Sequence, residues 1–129
     1  MEITLKISPP VTNEQLNALF TAAWESHSAR DFSPILAHSL LYVCAYADDQ
    51  LVGFVNLAWD GGSHAFLLDT SVHPALQRRG IGIQVVQAGI MAACERGIEW
   101  IHVDYEPHLH SFYSQCGFIP TPAGLINLK

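Results

Sequence analysis

The sequence is poor in charged residues. Only 14% of the 129 residues are charged, against about 25% in an average soluble protein, and only six residues are lysine or arginine. The formal net charge is −6 at pH 7, so the chain lacks the basic face that binding to nucleic acid requires. This balance argues against a nucleic-acid partner and fits a small cationic substrate. A surface with so little charge also predicts a homodimer.

Long hydrophobic runs are absent too. No apolar stretch approaches the ~20 residues needed to span a bilayer, and the first ten residues, MEITLKISPP, lack the basic start and apolar run of a signal peptide. The three cysteines, Cys44, Cys94 and Cys116, are odd in number and lie in apolar surroundings, which does not indicate a disulfide framework. We therefore expect one cytoplasmic domain over residues 1–129, with no membrane partner.

The first third of the chain alternates between strand and helix patterns. Residues 3–7 alternate around β-branched side chains and predict a strand. Thr12 followed by Gln15 is a capping-box pattern that marks a helix start. Apolar residues at i, i+3, i+4, i+7 and i+8 then run over 16–24, and a short second helix is expected at 34–39.

The remaining two thirds predict a sheet interrupted by two helices. Asp48-Asp49-Gln50 forms the turn of a hairpin, and glycines mark the ends of the later helices. The expected elements are a hairpin over 40–62, a third antiparallel strand over 64–72, a helix over 80–96, a strand over 99–105, a helix from Pro107 through Cys116, and one or two short closing strands after Gly117. The whole is a mixed α/β domain.

Two of the six basic residues stand directly before a glycine-rich helix start. Arg78 and Arg79 precede Gly80-Ile81-Gly82. A helix N-terminus offers unpaired N–H groups and the positive end of its dipole, and arginines add charge-assisted donors. The pattern therefore suits a pyrophosphate, although a plain turn with solvated arginines is the alternative. The stretch is not a P-loop, and Val85 replaces the third glycine of a dinucleotide fingerprint.

The segment VHPALQRRGIG resembles the acetyl-CoA-binding segment of the GNAT superfamily of N-acetyltransferases, in which a strand ending V-x-P leads into Q/R-x-x-G-x-G/A. Gln77, Gly80 and Gly82 occupy the pattern positions, and SFYSQCGF (111–118) resembles the F-Y-x-x-x-G-F segment of the family. The resemblance covers residues 40–118. It implies the GNAT-type acyl-CoA N-acyltransferase fold, a mostly antiparallel central sheet flanked by helices.

The same resemblance implies acetyl-CoA as co-substrate, and because the sequence has no metal-ligand spacing we expect no metal. In the family, backbone groups at the end of the fourth strand contact the pantetheine arm, and the glycine-rich turn holds the diphosphate. Carried onto this chain, the implied cofactor-binding residues are Thr70, Ser71 and Val72 for the arm, and Gln77, Arg78, Arg79, Gly80, Ile81, Gly82 and Ile83 at the turn.

The resemblance also implies three catalytic candidates. Tyr113 aligns with the family tyrosine that protonates the departing thiolate, and a phenol with a pKa of ~10 is protonated at pH 7. His102, by register with the fifth strand of the family, and Asp69, on the preceding strand, are alternative general bases. For each of the three, a purely structural role is the competing interpretation.

The residues that would bind the acceptor amine are predicted from fewer sequence features. Asp104 and Glu106 end the predicted fifth strand, and Trp24 falls where the first helices of the family form the acceptor wall, although its helical spacing also fits a core residue. Glu106 replaces an asparagine that contacts the coenzyme in many family members. His108-x-His110 lacks a metal-ligand spacing, and Cys116 is interpreted as a packing residue.

These residues predict an N-acetyltransferase that moves acetyl from acetyl-CoA directly to a primary amine, without a covalent intermediate. The amine could belong to a small molecule, a protein N-terminus or a lysine. Transfer of another acyl group is one alternative. A non-catalytic acyl-CoA-binding sensor or regulatory module is the alternative from a different functional class.

Overall fold

A five-stranded sheet with the strands in chain order forms the centre of the computed structural model, which describes residues 2–129. The first four strands are antiparallel to their neighbours, and the fifth is parallel to the fourth. They are β1 (Ile3–Ile7), β2 (Ser39–Ala47), β3 (Gln50–Trp59), β4 (His64–Val72) and β5 (Trp100–His102). The expectation of a mostly antiparallel sheet flanked by helices is confirmed.

Four α-helices accompany the sheet: α1 (Asn13–Ala23), α2 (Ser33–Ala37), α3 (Ile81–Glu95) and α4 (His110–Gln115). The capping box is present as predicted, because the Gln15 N–H donates to Thr12 Oγ1 at 3.1 Å and the Thr12 N–H donates to Gln15 Oε1 at 2.9 Å. The helix expected from Pro107 begins instead as a 3₁₀ turn, Pro107–Leu109. Over residues 2–129, no helix has the length and apolarity that a bilayer crossing would need.

The two faces of the sheet pack against different helices. Phe20 of α1, Phe32 and Phe54 of β3 belong to a cluster on one face, which also contains residues of β2. Val55, next to Phe54, belongs with α3 to a larger cluster on the opposite face, as the two-residue period of a strand requires. The first cluster contains no residue of β4 or β5. Accordingly Phe66 and Leu68 of β4, on that face, remain 40% and 38% exposed.

The C-terminal predictions need correction. The strand expected over 99–105 pairs with β4 only at Trp100–His102, although the burial of its side chains keeps alternating as far as Tyr105. The closing strands expected after Gly117 do not form in the structure, since residues 119–129 are all exposed and none lies in a strand. Pro120 and Pro122 lack the N–H that a ladder needs, and a strand requires a neighbour that these residues do not have here.

Candidate functional site

A β-bulge shapes the C-terminal end of β4. Phe54 of β3 pairs with Ser71 and Asn56 pairs with Leu68, so β4 takes three steps where β3 takes two. Asp69 lies within the bulge at φ +60°, a left-handed conformation that aspartate adopts more readily than most residues. The bulge shifts the alternation by one residue, which turns the Thr70 hydroxyl toward α4 and the Ser71 hydroxyl toward α1.

On the α4 side, the phenol of Tyr113 reaches the end of β4. Tyr113 is 6% exposed and its O–H donates to Thr70 Oγ1 at 3.3 Å. Burial raises the pKa of Tyr113, the Thr70 hydrogen bond opposes this rise, and the negative charge of Asp104 adds to it. The ring stacks on Tyr105 with centroids 4.8 Å apart. A protonated phenol is therefore held in a fixed position beside the end of β4.

On the α1 side, Trp24 is anchored to the same strand. Its Nε1–H donates to Ser71 Oγ at 2.9 Å, and the Ser71 hydroxyl in turn donates to the Asp69 carbonyl at 3.1 Å. Trp24 also stacks on Phe20 with centroids 4.6 Å apart. The side chain of Ser71 is thus occupied, which leaves its backbone as the part available to a ligand.

Asp69 lies close to the loop between α1 and α2. Burial raises the pKa of its carboxyl, and the positive charge of Arg30 partly opposes this. Arg30 belongs to that loop, which is fixed to α1 because the Arg30 N–H donates to Asn17 Oδ1 at 3.0 Å. A partly desolvated carboxylate next to Thr70, with its pKa raised by burial, is a candidate proton acceptor.

The turn before α3 presents backbone amides. Arg78 and Gly80 both adopt left-handed conformations, with φ of +67° and +77°. Gly80 is the N-cap of α3, no side chain caps it, and the first bond of the helix runs from the Gln84 N–H to the Gly80 carbonyl at 3.0 Å. The N–H groups of residues 81–83 therefore have no acceptor within the helix. Turns of this kind form anion-binding concavities, and the two arginines beside it suit a diphosphate.

Glycine is required at positions 80 and 82 for different structural reasons. A Cβ at Gly80 would meet nothing within 4 Å, and the positive φ explains the glycine there. A Cβ at Gly82 would lie 3.0 Å from Phe112 Cε1 and 3.5 Å from Val72 Cγ2. Gly82 thus allows α3 to approach α4 and β4 closely. Gln77 ties the turn to β4 through a 3.3 Å bond to the Val72 carbonyl.

His102 lies apart from this group. It pairs in register with Phe66, and Thr70 is four residues further along β4, roughly 13 Å at the rise of a strand. Its Nε2 is 2.8 Å from Nδ1 of His64, and its ring stacks on Phe66 with centroids 4.9 Å apart. The sequence analysis missed His64, because the partnership depends on the register between β4 and β5, which sequence spacing does not give.

The structure therefore brings most of the predicted site residues to one end of the sheet. Asp69, Thr70, Ser71 and Val72 end β4, Trp24 and Tyr113 reach them from opposite faces, and the residues 77–83 follow directly. Asp104 is exposed but close enough to influence Tyr113, and Glu106 is exposed at the start of the 3₁₀ turn before α4. This arrangement can hold an extended anionic ligand along β4 and move protons at its end.

The family model for the acetyltransferase (GNAT) family matches residues 11–118, and the chain belongs to this family. The N-acetyltransferase ycf52 of Pyropia yezoensis is 35% identical over 79 residues, covering 61% of this chain and 45% of the relative. A ycf52-like N-acetyltransferase of Prochlorococcus marinus is 29% identical over 115 residues, which cover 86% of this chain and 63% of the relative. The chain thus spans about half to two thirds of the length of these curated relatives.

Solved structures share the fold over the full chain. A structure from meticillin-resistant Staphylococcus aureus superposes with a TM-score of 0.80 at 23% identity and covers 99% of both chains. The aminoglycoside N-acetyltransferase AAC(6')-Iy in complex with CoA superposes with a TM-score of 0.78 at 19% identity, covering 99% of this chain and 95% of that one. The family predicted from the two motifs is confirmed, and it supports acyl transfer as the class of reaction.

Proposed function

We propose that the chain transfers acetyl from acetyl-CoA directly to a primary amine. The observation that carries this proposal is the uncapped start of α3, which lies beside the strand end where the phenol of Tyr113 meets Thr70. An anion site and a proton donor thus lie at the two ends of one short strand segment, residues 70–72. AAC(6')-Iy, a protein of the same fold, forms a complex with CoA, which supports a coenzyme A thioester as the ligand.

The residues that would hold the coenzyme are those of the strand end and the turn. The N–H groups of residues 81–83 and the guanidinium groups of Arg78 and Arg79 would bind the diphosphate. The backbone of residues 70–72 would bind the pantetheine arm as an added strand binds a sheet edge. The coenzyme, when bound, supplies an acetyl group activated as a thioester.

Proton transfer is assigned to two residues. A lysine-like amine with a pKa of ~10.4 must lose a proton before attack, which costs about 4–5 kcal/mol at pH 7. Asp69 accepts this proton, directly or through water, because its raised pKa and its place beside Thr70 suit the task. Tyr113 donates its phenolic proton to the departing thiolate, and Thr70 orients the phenol. His102 is less suited because of its distance along the strand.

The acceptor amine is proposed to approach from the β5 side. Asp104 and Glu106 are exposed carboxylates there and would attract a cation, while Trp24 forms the opposite wall. The amine could belong to a small molecule, a protein N-terminus or a lysine. The homodimer expected from the low charge also stays a proposal.

Titration calorimetry with acetyl-CoA tests the anion site. Gly80→Asp is the informative variant and Gly80→Asn is its control, because both side chains tolerate φ +77° and only aspartate adds a negative charge. We expect affinity to fall on the order of 100-fold in Gly80→Asp and much less in Gly80→Asn. Equal affinities in the two variants would contradict a diphosphate at this turn. Gly82→Glu would not test the charge alone, since its side chain would also displace Phe112.

Turnover is measured separately as free thiol released from acetyl-CoA in the presence of a panel of primary amines. Amine-dependent release supports the transferase. Calorimetric binding without release by any amine class would instead support a non-catalytic sensor. The absence of any binding heat would contradict both functions.

A further inference from the structure

The part of the sheet that α1 and α2 leave open in the described chain is lined by aromatic side chains. Phe66 and Leu68 of β4 are 40% and 38% exposed, and Trp100 of β5 is 58% exposed. The ring of His102 stacks on Phe66 with centroids 4.9 Å apart, and its Nε2 lies 2.8 Å from Nδ1 of His64. These five side chains form one surface, the aromatic floor: His64, Phe66, Leu68, Trp100 and His102.

The register between β4 and β5 builds the aromatic floor. Phe66 pairs with His102 in the parallel ladder, and the two rings project to the same side of the sheet. The alternate residues of β4, Ala65 and Leu67, are buried on the opposite side in the cluster around α3, as the two-residue period requires. The floor therefore rests on a packed core, and its shape is fixed before any ligand binds.

The aromatic floor leads to the proposed general base. Leu68 directly precedes Asp69, and Phe66 lies three residues before it, roughly 10 Å away at the rise of a strand. Burial raises the pKa of Asp69 and the nearby charge of Arg30 partly opposes this, while the Arg30 guanidinium lies over the ring of Phe32 in the cluster around α1. The Asp69 carboxylate and the floor thus lie on the same side of the sheet.

Carboxylates lie at the ends of the aromatic floor and not along it. Asp69 and Asp104 lie at the end next to the proposed active site. Asp60 lies at the far end, where its carboxylate already accepts the N–H groups of Gly62 and His64. A second ammonium group above the middle of the floor would therefore lose water without gaining a carboxylate. The surface complements one cation joined to an apolar chain.

We propose that the aromatic floor binds the apolar arm of the acceptor, so that the preferred acceptor is a primary monoamine with an extended apolar chain. This inference rests on the proposed transfer of acetyl to a primary amine, and it adds the class of amine. The amino group would lie at Asp69, and the chain would run back along β4 over Leu68 to Phe66. His102 then shapes the surface through its stack on Phe66 instead of moving protons.

The position of the arm leaves the transfer step unchanged. The amine nitrogen bonds to the acetyl carbon as the C–S bond breaks, the amine proton passes to Asp69, and the departing thiolate takes the proton of Tyr113. The floor touches none of the reacting atoms, so its contacts with the arm are the same in the bound substrate and in the transition state. Contacts of that kind lower KM and leave kcat nearly unchanged.

A series of acceptors tests the aromatic floor in the unmodified protein. Thiol release from acetyl-CoA is measured with straight-chain amines from ethylamine to octylamine, and with the diamine cadaverine, which has as many heavy atoms as hexylamine. We expect kcat/KM to rise about twofold per methylene until the chain reaches Phe66, because only one side of the chain contacts the floor. Hexylamine should exceed cadaverine on the order of 10-fold. Rates independent of chain length, or a preference for cadaverine, would overturn the proposal and leave the transferase intact.

Phe66→Ser shortens the aromatic floor, and Trp59→Ser is its matched control. Trp59 is also 40% exposed, but it follows the buried Leu57 at the two-residue period and so lies on the α3 side of the sheet. We expect Phe66→Ser to raise KM for hexylamine about 10-fold and to leave KM for ethylamine, which is too short to reach position 66, nearly unchanged. Trp59→Ser should match the unmodified protein with both amines. Equal KM values for hexylamine in the two variants would refute the role of the floor.

Calorimetry separates this proposal from the proposed function. Hexylamine is titrated into protein saturated with CoA, which carries no acetyl group and permits no transfer. Binding that weakens in Phe66→Ser and not in Trp59→Ser supports the floor even when no amine is acetylated, an outcome that would overturn the transferase alone. Absence of binding, or equal affinity in the two variants, would overturn the floor even when acetylation proceeds.

Discussion

At the scale of single residues, Tyr113 combines burial with a bond to the strand that would hold the coenzyme. Replacing it with phenylalanine removes the donor but keeps the stacked ring, so we expect kcat to fall about 10²- to 10³-fold, within the range of general acid catalysis, with little change in acetyl-CoA affinity. Steady-state kinetics and calorimetry on Tyr113→Phe measure the two quantities. An unchanged kcat would remove Tyr113 from the mechanism.

Arg30 provides a separate test of Asp69. Its positive charge lowers a carboxyl pKa that burial raises, so removing it should raise that pKa further. Because Asp69 accepts a proton only when ionised, the ascending limb of kcat/KM should move to higher pH in Arg30→Ala. Arg30→Lys keeps the charge and should leave the limb nearly in place. If the ascending limb of kcat/KM lies at the same pH in the unmodified protein and in both Arg30 variants, Asp69 is excluded as the general base.

The burial of Asp69 also predicts a pH-dependent stability. Its folded pKa lies above 3.8, so as the pH rises past 3.8 the unfolded chain ionises first and the folded state progressively loses stability. The loss is complete once the pH exceeds the folded pKa, and it persists at higher pH. Asp69→Asn should therefore gain stability relative to the unmodified protein between pH 3 and 7, and asparagine tolerates the same left-handed backbone. Thermal unfolding at the two ends of this range measures the difference, and a constant difference would contradict it.

At the scale of elements, α3 approaches the sheet through Gly89. A Cβ there would lie 2.9 Å from Leu57 Cδ1, and Leu57 is fully buried. Gly89→Ala would gain ~1 kcal/mol of helix propensity, but overpacking costs about 1–3 kcal/mol, so we expect a net loss of about 1 kcal/mol. Chemical denaturation measures it. Leu57→Val should relieve the contact, and strictly additive effects in the double variant would contradict this packing.

The elements also show where prediction from sequence ends. The capping box at Thr12 and the hairpin turn at Asp48-Asp49 are local patterns, and the structure reproduces them. The bulge at Asp69, the Trp24–Ser71 bond and the His64–His102 pair depend on register between strands distant in sequence, which no local pattern specifies. The closing strands failed for a related reason: the pattern after Gly117 favours a strand, but a strand forms only by pairing with a neighbour, and residues 119–129 pair with none in the described chain.

At the scale of the whole molecule, coenzyme binding should stabilise the fold. A ligand present at 100 times its Kd stabilises the folded state by about 2.7 kcal/mol, because it binds only that state. We expect acetyl-CoA at this excess to raise Tm in the unmodified chain. Differential scanning fluorimetry measures the shift.

The coenzyme-dependent rise in Tm should be lost in Gly80→Asp. A negative charge at the start of α3 opposes the diphosphate, so acetyl-CoA should leave the Tm of this variant nearly unchanged. Gly80→Asn tolerates the same left-handed backbone without the charge and should keep most of the rise. An equal rise in Gly80→Asp and in the unmodified chain would mean that the diphosphate does not lie at the turn before α3, because only a ligand that binds the folded state there loses its stabilising effect when that turn becomes negative.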